Sequence, residues 1–297
     1  MSNDDLVEIV RKHQYYQEYH SPEFDKVLEA MLRVDRKDFL PEEVPVEVTV
    51  DYHESRLMYD ARMVLVDDGK TTDDKVKALE AMLKYMDKLF SSPTIGVFNP
   101  RDSAYENKVL DIGHGQACSQ PSLVAFMAYL LELEKGMKVF ELGYGCGYSA
   151  AITYHLIRPS GHLVAAEIID ELAELGRNNL ETHLGKVGVK SKGWKLFDMM
   201  GQLLSREEKV KLISGNGLEV LEKEAPFDRI YLTAGVDLES FDPSKLATHL
   251  NPKGGILLFP EERGDLIKQL YKGGNLIDTK RYGDGRILFV PLTGINS

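Results

Sequence analysis

The spacing of apolar positions changes character twice along the chain. In residues 3–40 it is helical: Leu6, Ile9 and Val10 form one short stripe, and Phe24, Val27, Leu28, Met31 and Leu32 form a fuller one, so two helices are expected. Ser21-Pro22 marks the start of the second, a capping residue followed by proline at the first helical position. From Pro41 to Ser103, Pro45, Pro93, Pro100 and the turn Asp67 to Lys70 punctuate extended runs around one clear helix, Asp73 to Phe90. Its Val76, Leu79, Met82, Leu83, Met86, Leu89 and Phe90 share a face that must be buried against something. From Lys138 onward short apolar runs alternate with glycine turns and helical stretches, the rhythm of a parallel sheet covered by helices on both faces. The expected order is strand Lys138 to Leu142, helix Tyr148 to Arg158, strand His162 to Ile168, helix Asp170 to Leu184, strands Lys209 to Ser214 and Phe227 to Thr233, helix Pro243 to Leu250 and strand Gly254 to Pro260. Leu266 to Tyr271, Leu276 to Arg281 and Ile287 to Leu292 then read as three strands joined at Gly273-Gly274 and Gly283-Asp284-Gly285, an antiparallel finish.

Composition narrows the class. A chain of 297 residues with 43% apolar and 28% charged residues can bury a large core without covalent staples. The net charge of −11 argues against nucleic acid or an anionic membrane as the main partner, although most of the acid excess falls before residue 104. Two cysteines, Cys118 and Cys146, exclude a disulfide framework and fit a reducing cytoplasm; no histidine pair has ligand spacing with support, so no metal is expected. The acidic start MSNDDLVEIVRKHQ lacks the apolar core of a leader peptide, and no run is long enough to span a bilayer, so a cytoplasmic protein is expected.

The densest chemistry lies in FELGYGCGYSAA, Phe140 to Ala151. Gly143, Gly145 and Gly147 alternate after a strand, where glycine permits a tight turn and close approach to a ligand. The spacing is one residue short of the dinucleotide fingerprint. Glu141 would repel phosphate and favour an ammonium or sulfonium, while Glu167, at the tip of the next strand, could accept both ribose hydroxyls. These features together point to S-adenosyl-L-methionine. Asn216, in Gly215-Asn216-Gly217, is placed either to bond the adenine amino group or to make an ordinary Asn-Gly turn.

Ahead of this loop, Ile-Gly-His-Gly-Gln-Ala-Cys-Ser-Gln-Pro (Ile112 to Pro121) resembles a run found in the protein-L-isoaspartate (D-aspartate) O-methyltransferases. The segments Val27 to Pro41, Ala225 to Gly235, Leu250 to Pro260 and Arg286 to Gly294 resemble that family too. The resemblance implies a Rossmann-like class I S-adenosylmethionine-dependent methyltransferase fold, α/β with an antiparallel C-terminal finish, in a domain spanning 104–297. Residues 1–43 would form N-terminal helices and 44–103 an inserted segment. It also implies methylation of the carboxylate of L-isoaspartyl or D-aspartyl residues in damaged protein, the first step of repair. Ser119 would hold the acceptor carboxylate and Thr233 would lie beside it; read from the residues alone, Ser119 could instead cap a helix from Ser122 to Leu133.

Several positions depart from the family. Asn216 stands where aspartate is usual, and Cys118 and Cys146 stand where other small or apolar side chains are common. The cysteines can be packing or a thiol pair. Glu261-Glu262-Arg263 follows Pro260 where the family is neutral, and two carboxylates there would repel an anionic acceptor if they lined its site. The helix 73–90 can serve as core, lid or dimer contact, and Lys186, Lys190, Lys192 and Lys195 around Trp194 as a solvated loop or a dock for an anionic partner. Two alternatives to the family's activity remain: a methyltransferase of this lineage with another acceptor, and a cofactor-binding module without catalysis.

Overall fold

A computed structural model describes residues 1–45, 97–186 and 209–293. The expected helix 73–90 and the lysine-rich stretch from 187 to 208 lie outside the described residues. Three helices occupy the N-terminus: α1 (Asn3–Lys12), α2 (Gln14–Tyr19) and α3 (Pro22–Leu32). The first expected helix is therefore divided. His13 takes an extended conformation, donates its N–H to Val10 O, and opens α2 by accepting from Tyr15 N. The division lets Leu6, Val7 and Val10 on one side of the break and Tyr16 on the other all reach the core. Ser21 caps α3 as expected, accepting from Phe24 N.

After a 3₁₀ turn at Arg36–Phe39 come the short strands β1 (Val44–Pro45) and β2 (Val97–Phe98), which pair with each other, then the hairpin β3 (Leu110–Gly113) and β4 (Gln116–Cys118). Helix α4 (Pro121–Leu130) is apolar and buried nearly all round, as a helix held between layers must be.

The alternating units are β5 (Lys138–Leu142), α5 (Tyr148–Ile157), β6 (His162–Glu167), α6 (Asp170–Lys186), β7 (Lys209–Ser214), α7 (Gly217–Glu224), β8 (Arg229–Leu232), α8 (Ser244–Ala247) and β9 (Gly255–Pro260), and all but α7 answer to an expected element. The chain ends in β10 (Arg263–Lys272) and β11 (Asn275–Leu288). Seven strands form one sheet in the order β11-β10-β9-β8-β5-β6-β7, parallel from β9 to β7 and antiparallel at β10 and β11. Side chains from alternate strand positions feed two cores, one under α1–α6 and one under α7 and α8.

Where three C-terminal strands were expected, two are found. Gly273 and Gly274, with φ of +61° and +78°, make the reversal. Gly283 and Gly285 also have positive φ, yet they form a bulge: Gly264 faces Ile287, and two residues on Leu266 faces Tyr282, so β11 continues past them. The Gly285 N–H is held by Asp265 Oδ1 at 2.7 Å. Among the described residues no helix is long and apolar enough to cross a membrane.

Candidate active site

Strand order reverses at β5, whose neighbours are β6 on one side and β8 on the other. In open α/β sheets this reversal leaves a crevice beyond the carboxyl ends of the strands. Here the crevice is an open cavity with about 1150 Å³ of empty space, solvent at its mouth included, and Ser119, Gly143, Gly145, Glu167, Asn216 and Thr233 all line it.

The floor is made by the glycine loop. Gly143 has φ of +90°, and a Cβ there would come within 2.8 Å of Thr233 Oγ1. The Thr233 hydroxyl rests on the carbonyls of Leu142, at 3.1 Å, and Gly143, tying the end of β8 to the loop. Gly145 donates its N–H to Glu167 Oε2 at 2.9 Å, and Ile169 donates to Oε1 at 3.1 Å. Glu167 is thus oriented by two backbone donors, and a carboxylate has about four acceptor sites, so it retains capacity for ligand hydroxyls. Gly147 (φ +87°) is the N-cap residue of α5 and, unlike Gly143 and Gly145, does not line the cavity.

A glycine that sequence reasoning missed completes this floor. Gly176 lies inside α6, and a Cβ on it would fall 2.3 Å from Gly145 O and 2.8 Å from the Tyr144 ring. Its absence of side chain lets α6 press on the loop. Tyr144 OH then donates to Ala173 O at 3.0 Å, and Asn179 Nδ2 reaches both Cys146 O and Phe39 O at 3.0 Å. An isolated glycine within a helical pattern was the available clue.

Glu141 is not on the cavity wall. It is fully buried one layer below, accepting from the Ser149 hydroxyl, while Ser149, Thr153 and Tyr231 line the cavity above it. Burial pushes its carboxyl up to about 7, with the charge of Glu167 adding and the Ser149 and Tyr231 hydroxyls opposing. Its Oε2 has no hydrogen-bond partner. Tyr231, whose hydroxyl bonds Thr153 Oγ1 at 3.0 Å, and Thr153 itself carried no motif that sequence reading could have isolated.

Asn216 caps α7, its Oδ1 accepting from Leu218 N at 2.9 Å, and also lines the cavity. The turn reading and the position facing a ligand coexist.

The roof is the segment ending at Ser119. The helix that follows begins at Pro121 without a side-chain cap from its preceding residue, Gln120; Asn107 Oδ1 accepts from Ser122 N at 2.9 Å instead. Ser119 makes no cap bond here. This segment is fastened by Arg36, which is completely buried and donates to the carbonyls of Ala104, Glu106, Lys108, Cys118 and Ser119 at 2.9–3.4 Å. Cys118 and Cys146 both line the cavity and both are buried free thiols.

The acidic loop after Pro260 faces elsewhere. Glu261 pairs with Arg281 at 2.5 Å and accepts from Asp265 N at 3.1 Å, and Glu262 lies 3.9 Å from Arg263. Glu261, Glu262 and Arg263 line a separate shallow groove with Asp237 and Glu239. The expected repulsion of an anionic acceptor therefore has no structural basis in the cavity wall.

The sequence matches the family model for protein-L-isoaspartate(D-aspartate) O-methyltransferase (PCMT) over residues 62–297. It is 33% identical over 219 residues to the protein-L-isoaspartate O-methyltransferase of Methanothrix thermoacetophila, covering 73% of this chain and 88% of that one. To its counterpart in Aeropyrum pernix it is 34% identical over 249 residues, covering 82% and 81%. Among solved structures, a beta-aspartate methyltransferase (PCMT) from Plasmodium falciparum in complex with S-adenosyl-L-homocysteine matches 99% of both chains at 17% identity with a TM-score of 0.59, a likeness of fold.

Proposed function

The chain belongs to the protein-L-isoaspartate(D-aspartate) O-methyltransferase family, and from that premise we propose that it methylates the carboxylate of L-isoaspartyl or D-aspartyl residues in protein or peptide acceptors. The observation that carries this reading is that the glycine loop, Glu167 and Ser119 open onto one cavity. S-adenosylmethionine, when bound, supplies an electrophilic methyl group on a sulfonium. The residues present fit such a ligand: the positive-φ glycines leave backbone-lined space, and Glu167 keeps acceptor capacity at the end of β6. Glu167 would hold the ribose hydroxyls and Asn216 the adenine edge. Glu141 would act from beneath, with its unpartnered oxygen and raised pKa, by setting the local charge under Ser149.

The acceptor needs little activation. A carboxylate with a solution pKa of about 4 is ionised at neutral pH and is already a nucleophile. The task left to the protein is alignment and exclusion of water, worth up to about 7–11 kcal/mol when orientation is good. Ser119, held through its backbone carbonyl by the Arg36 side chain, would fix one carboxylate oxygen, and Thr233 would keep the end of β8 against the loop. We assign the activity to the cytoplasm, a compartment that fits a chain with two cysteines and no disulfide framework.

The test pairs an isoaspartyl peptide with its normal aspartyl twin and a labelled methyl donor. Base-labile label on the isoaspartyl peptide alone is expected. No label with cofactor still bound would overturn the acceptor, and label on proteins of a cell extract under the same conditions would then separate a different acceptor from a module without catalysis.

A further inference from the structure

Helix α6 and the glycine loop run side by side, and the contacts between them keep a regular step. Tyr144 OH donates to Ala173 O at 3.0 Å, Gly176 lets the helix close on Gly145 O, and Asn179 Nδ2 donates to Cys146 O at 3.0 Å. One loop residue is met for every three residues of helix, the spacing that puts successive positions on one helical face. The third contact differs from the other two. A carboxamide nitrogen carries two N–H donors, and Asn179 Nδ2 also donates to Phe39 O, again at 3.0 Å. Both partners are carbonyls and accept only, so the amide can sit in one orientation.

Phe39 closes the 3₁₀ turn that Arg36 opens, and Arg36 Nη2 donates to Ser119 O at 3.1 Å. Cys146 O, Asn179, the turn and Ser119 O therefore form one connected path. It runs from the loop between Gly145 and Gly147 to the residue that would hold the acceptor. The turn itself is firmly seated. Phe39 is completely buried, its ring 5.9 Å from that of Tyr148 and 5.5 Å from that of His183. A second polar contact between α6 and the turn, Lys186 to Asp38 at 2.7 Å, lies at the surface, where an ion pair contributes little.

We propose that Asn179 is a positioning residue for methyl transfer, setting the separation between the methyl donor's loop and Ser119 by holding Cys146 O and Phe39 O on one nitrogen. The inference rests on the proposed function, in which that loop carries the donor and Ser119 the acceptor carboxylate. In-line displacement needs the carboxylate oxygen, methyl carbon and sulfur aligned at close range, and a misplacement of about 1 Å can cost about a hundredfold in rate. Each ligand can still bind its own side of the cavity when the two sides move apart. Loss of the Asn179 bonds should therefore appear in turnover and not in affinity for the methyl donor.

The experiment compares the full-length parent protein with Asn179→Ala, Asn179→Gln, Lys186→Ala, Ser119→Ala and the double variant Asn179→Ala with Ser119→Ala. Asn179→Ala should lower kcat on an isoaspartyl peptide at least about tenfold, with the Kd for S-adenosylhomocysteine within about threefold of the parent's. Asn179→Gln, which keeps the donor on a longer arm, should recover part of the rate, and Lys186→Ala should keep all of it. In the Ser119→Ala background the Asn179 substitution should cost at most about twofold more, because the group it positions is already gone. A residue that only stabilised the fold would give the same factor in both backgrounds. Equal factors, an unchanged kcat in Asn179→Ala, or a loss of S-adenosylhomocysteine affinity as large as the loss of kcat would each overturn the proposal.

A second readout needs neither methyl transfer nor a variant. Residues 36–40 line no part of the cavity, so S-adenosylhomocysteine can slow amide exchange there only through the intervening protein. Slower exchange in the parent is expected on binding, and in Asn179→Ala the slowing should be lost. No change in the parent overturns the link. A parent protein that shows this protection and yet methylates no isoaspartyl peptide speaks against the proposed function instead, and leaves the link between loop and turn standing.

Discussion

The floor and the roof of the cavity are built by opposite strategies. The floor is local: β5, the glycine loop, α5 and β6 are consecutive, and most of their bonds join residues of neighbouring elements, such as Gly143 N to Ala166 O at 2.8 Å and Gly145 N to Glu167 at 2.9 Å. The roof from Ala104 to Ser119 contains only a short hairpin outside the main sheet. Its most extensive tie is one buried side chain from a distant part of the chain, Arg36, whose charge is spread over five carbonyls. Main-chain pairing repeats along the floor, whereas the roof is tied to the rest of the protein largely through side chains, Arg36 above all, with Tyr105 on Asp35 and Asn107 on Ser122 beside it.

The largest expected effect breaks the comparison at this point. Arg36→Met leaves five interior carbonyls without their donor and should cost about 3 kcal/mol or more, since bonds from a charged group contribute about 1.5–3 kcal/mol and unsatisfied buried groups are costly. Urea unfolding checks the cost, and an unchanged midpoint would show that the roof is held by something else. Gly176→Ala attacks the floor. Alanine in a helix normally gains about 0.5–1 kcal/mol over glycine, but here its Cβ would strike Gly145 O at 2.3 Å. Overpacking of this kind costs about 1–3 kcal/mol, so a lower melting temperature and weaker binding of S-adenosylhomocysteine are expected, and a stabilised variant would refute the close approach.

Two substitutions should then separate the surfaces functionally. Glu167→Ala strands the Gly145 and Ile169 N–H groups and should weaken cofactor binding by about tenfold to a hundredfold; calorimetry showing unaltered affinity would remove the ribose assignment. Ser119→Ala should lower turnover by about tenfold while leaving cofactor affinity nearly intact, as expected for one hydrogen bond to a charged acceptor. Equal losses in both measurements would mean that floor and roof are not separable.

The smallest effect concerns pH and lies wholly on the floor side. His155 and His183, on α5 and α6, face each other Nε2 to Nε2 at 2.9 Å. Burial holds both below the usual imidazole range, His155 at about 4, with the other histidine and nearby Arg158 and Arg33 adding to it at His155. Between pH 6.5 and about 4 the unfolded chain binds more protons at His155 than the folded one, so stability falls as pH falls through that window. Glu141 has the opposite sign: between pH 4.5 and about 7 the folded state binds more protons, and stability falls as pH rises. The two oppose each other where the windows overlap. Glu141→Gln should leave the histidine slope alone, so that its melting temperature rises from pH 5 to pH 6.5 more steeply than that of the parent protein. Identical slopes would mean that Glu141 is not protonated in this range.

Much of the floor was legible in the sequence. The strands at Lys138 to Leu142 and Lys209 to Ser214 and the turn glycines follow from period and local backbone requirements, which act over a few residues. Errors arose where a local cue admits two outcomes. Gly283-Asp284-Gly285 reads as a reversal, yet with β10 alongside it makes a bulge in one strand. The placement of charge was less accessible. Glu261 and Glu262 looked obstructive until Arg281 and Asp265, on the hairpin, were seen to engage Glu261. Glu141 looked exposed to a ligand until Ser149 and Tyr231 were found above it.

By itself, then, the sequence determined most of the alternating strands and helices from Lys138 to Pro260, the glycine loop and the residue types that a methyl donor and a carboxylate acceptor require, because these depend on side-chain period and on backbone conformations that neighbouring residues impose. Only the tertiary structure decided that Arg36 fastens the roof, that Gly176 admits α6 to the loop, that Glu141 lies below the cavity and that Cys118 and Cys146, from separate elements, line the same cavity. Those outcomes depend on contacts between residues far apart in the chain, and burial, which shifts a pKa or turns a cation onto backbone carbonyls, exists only once the layers have packed.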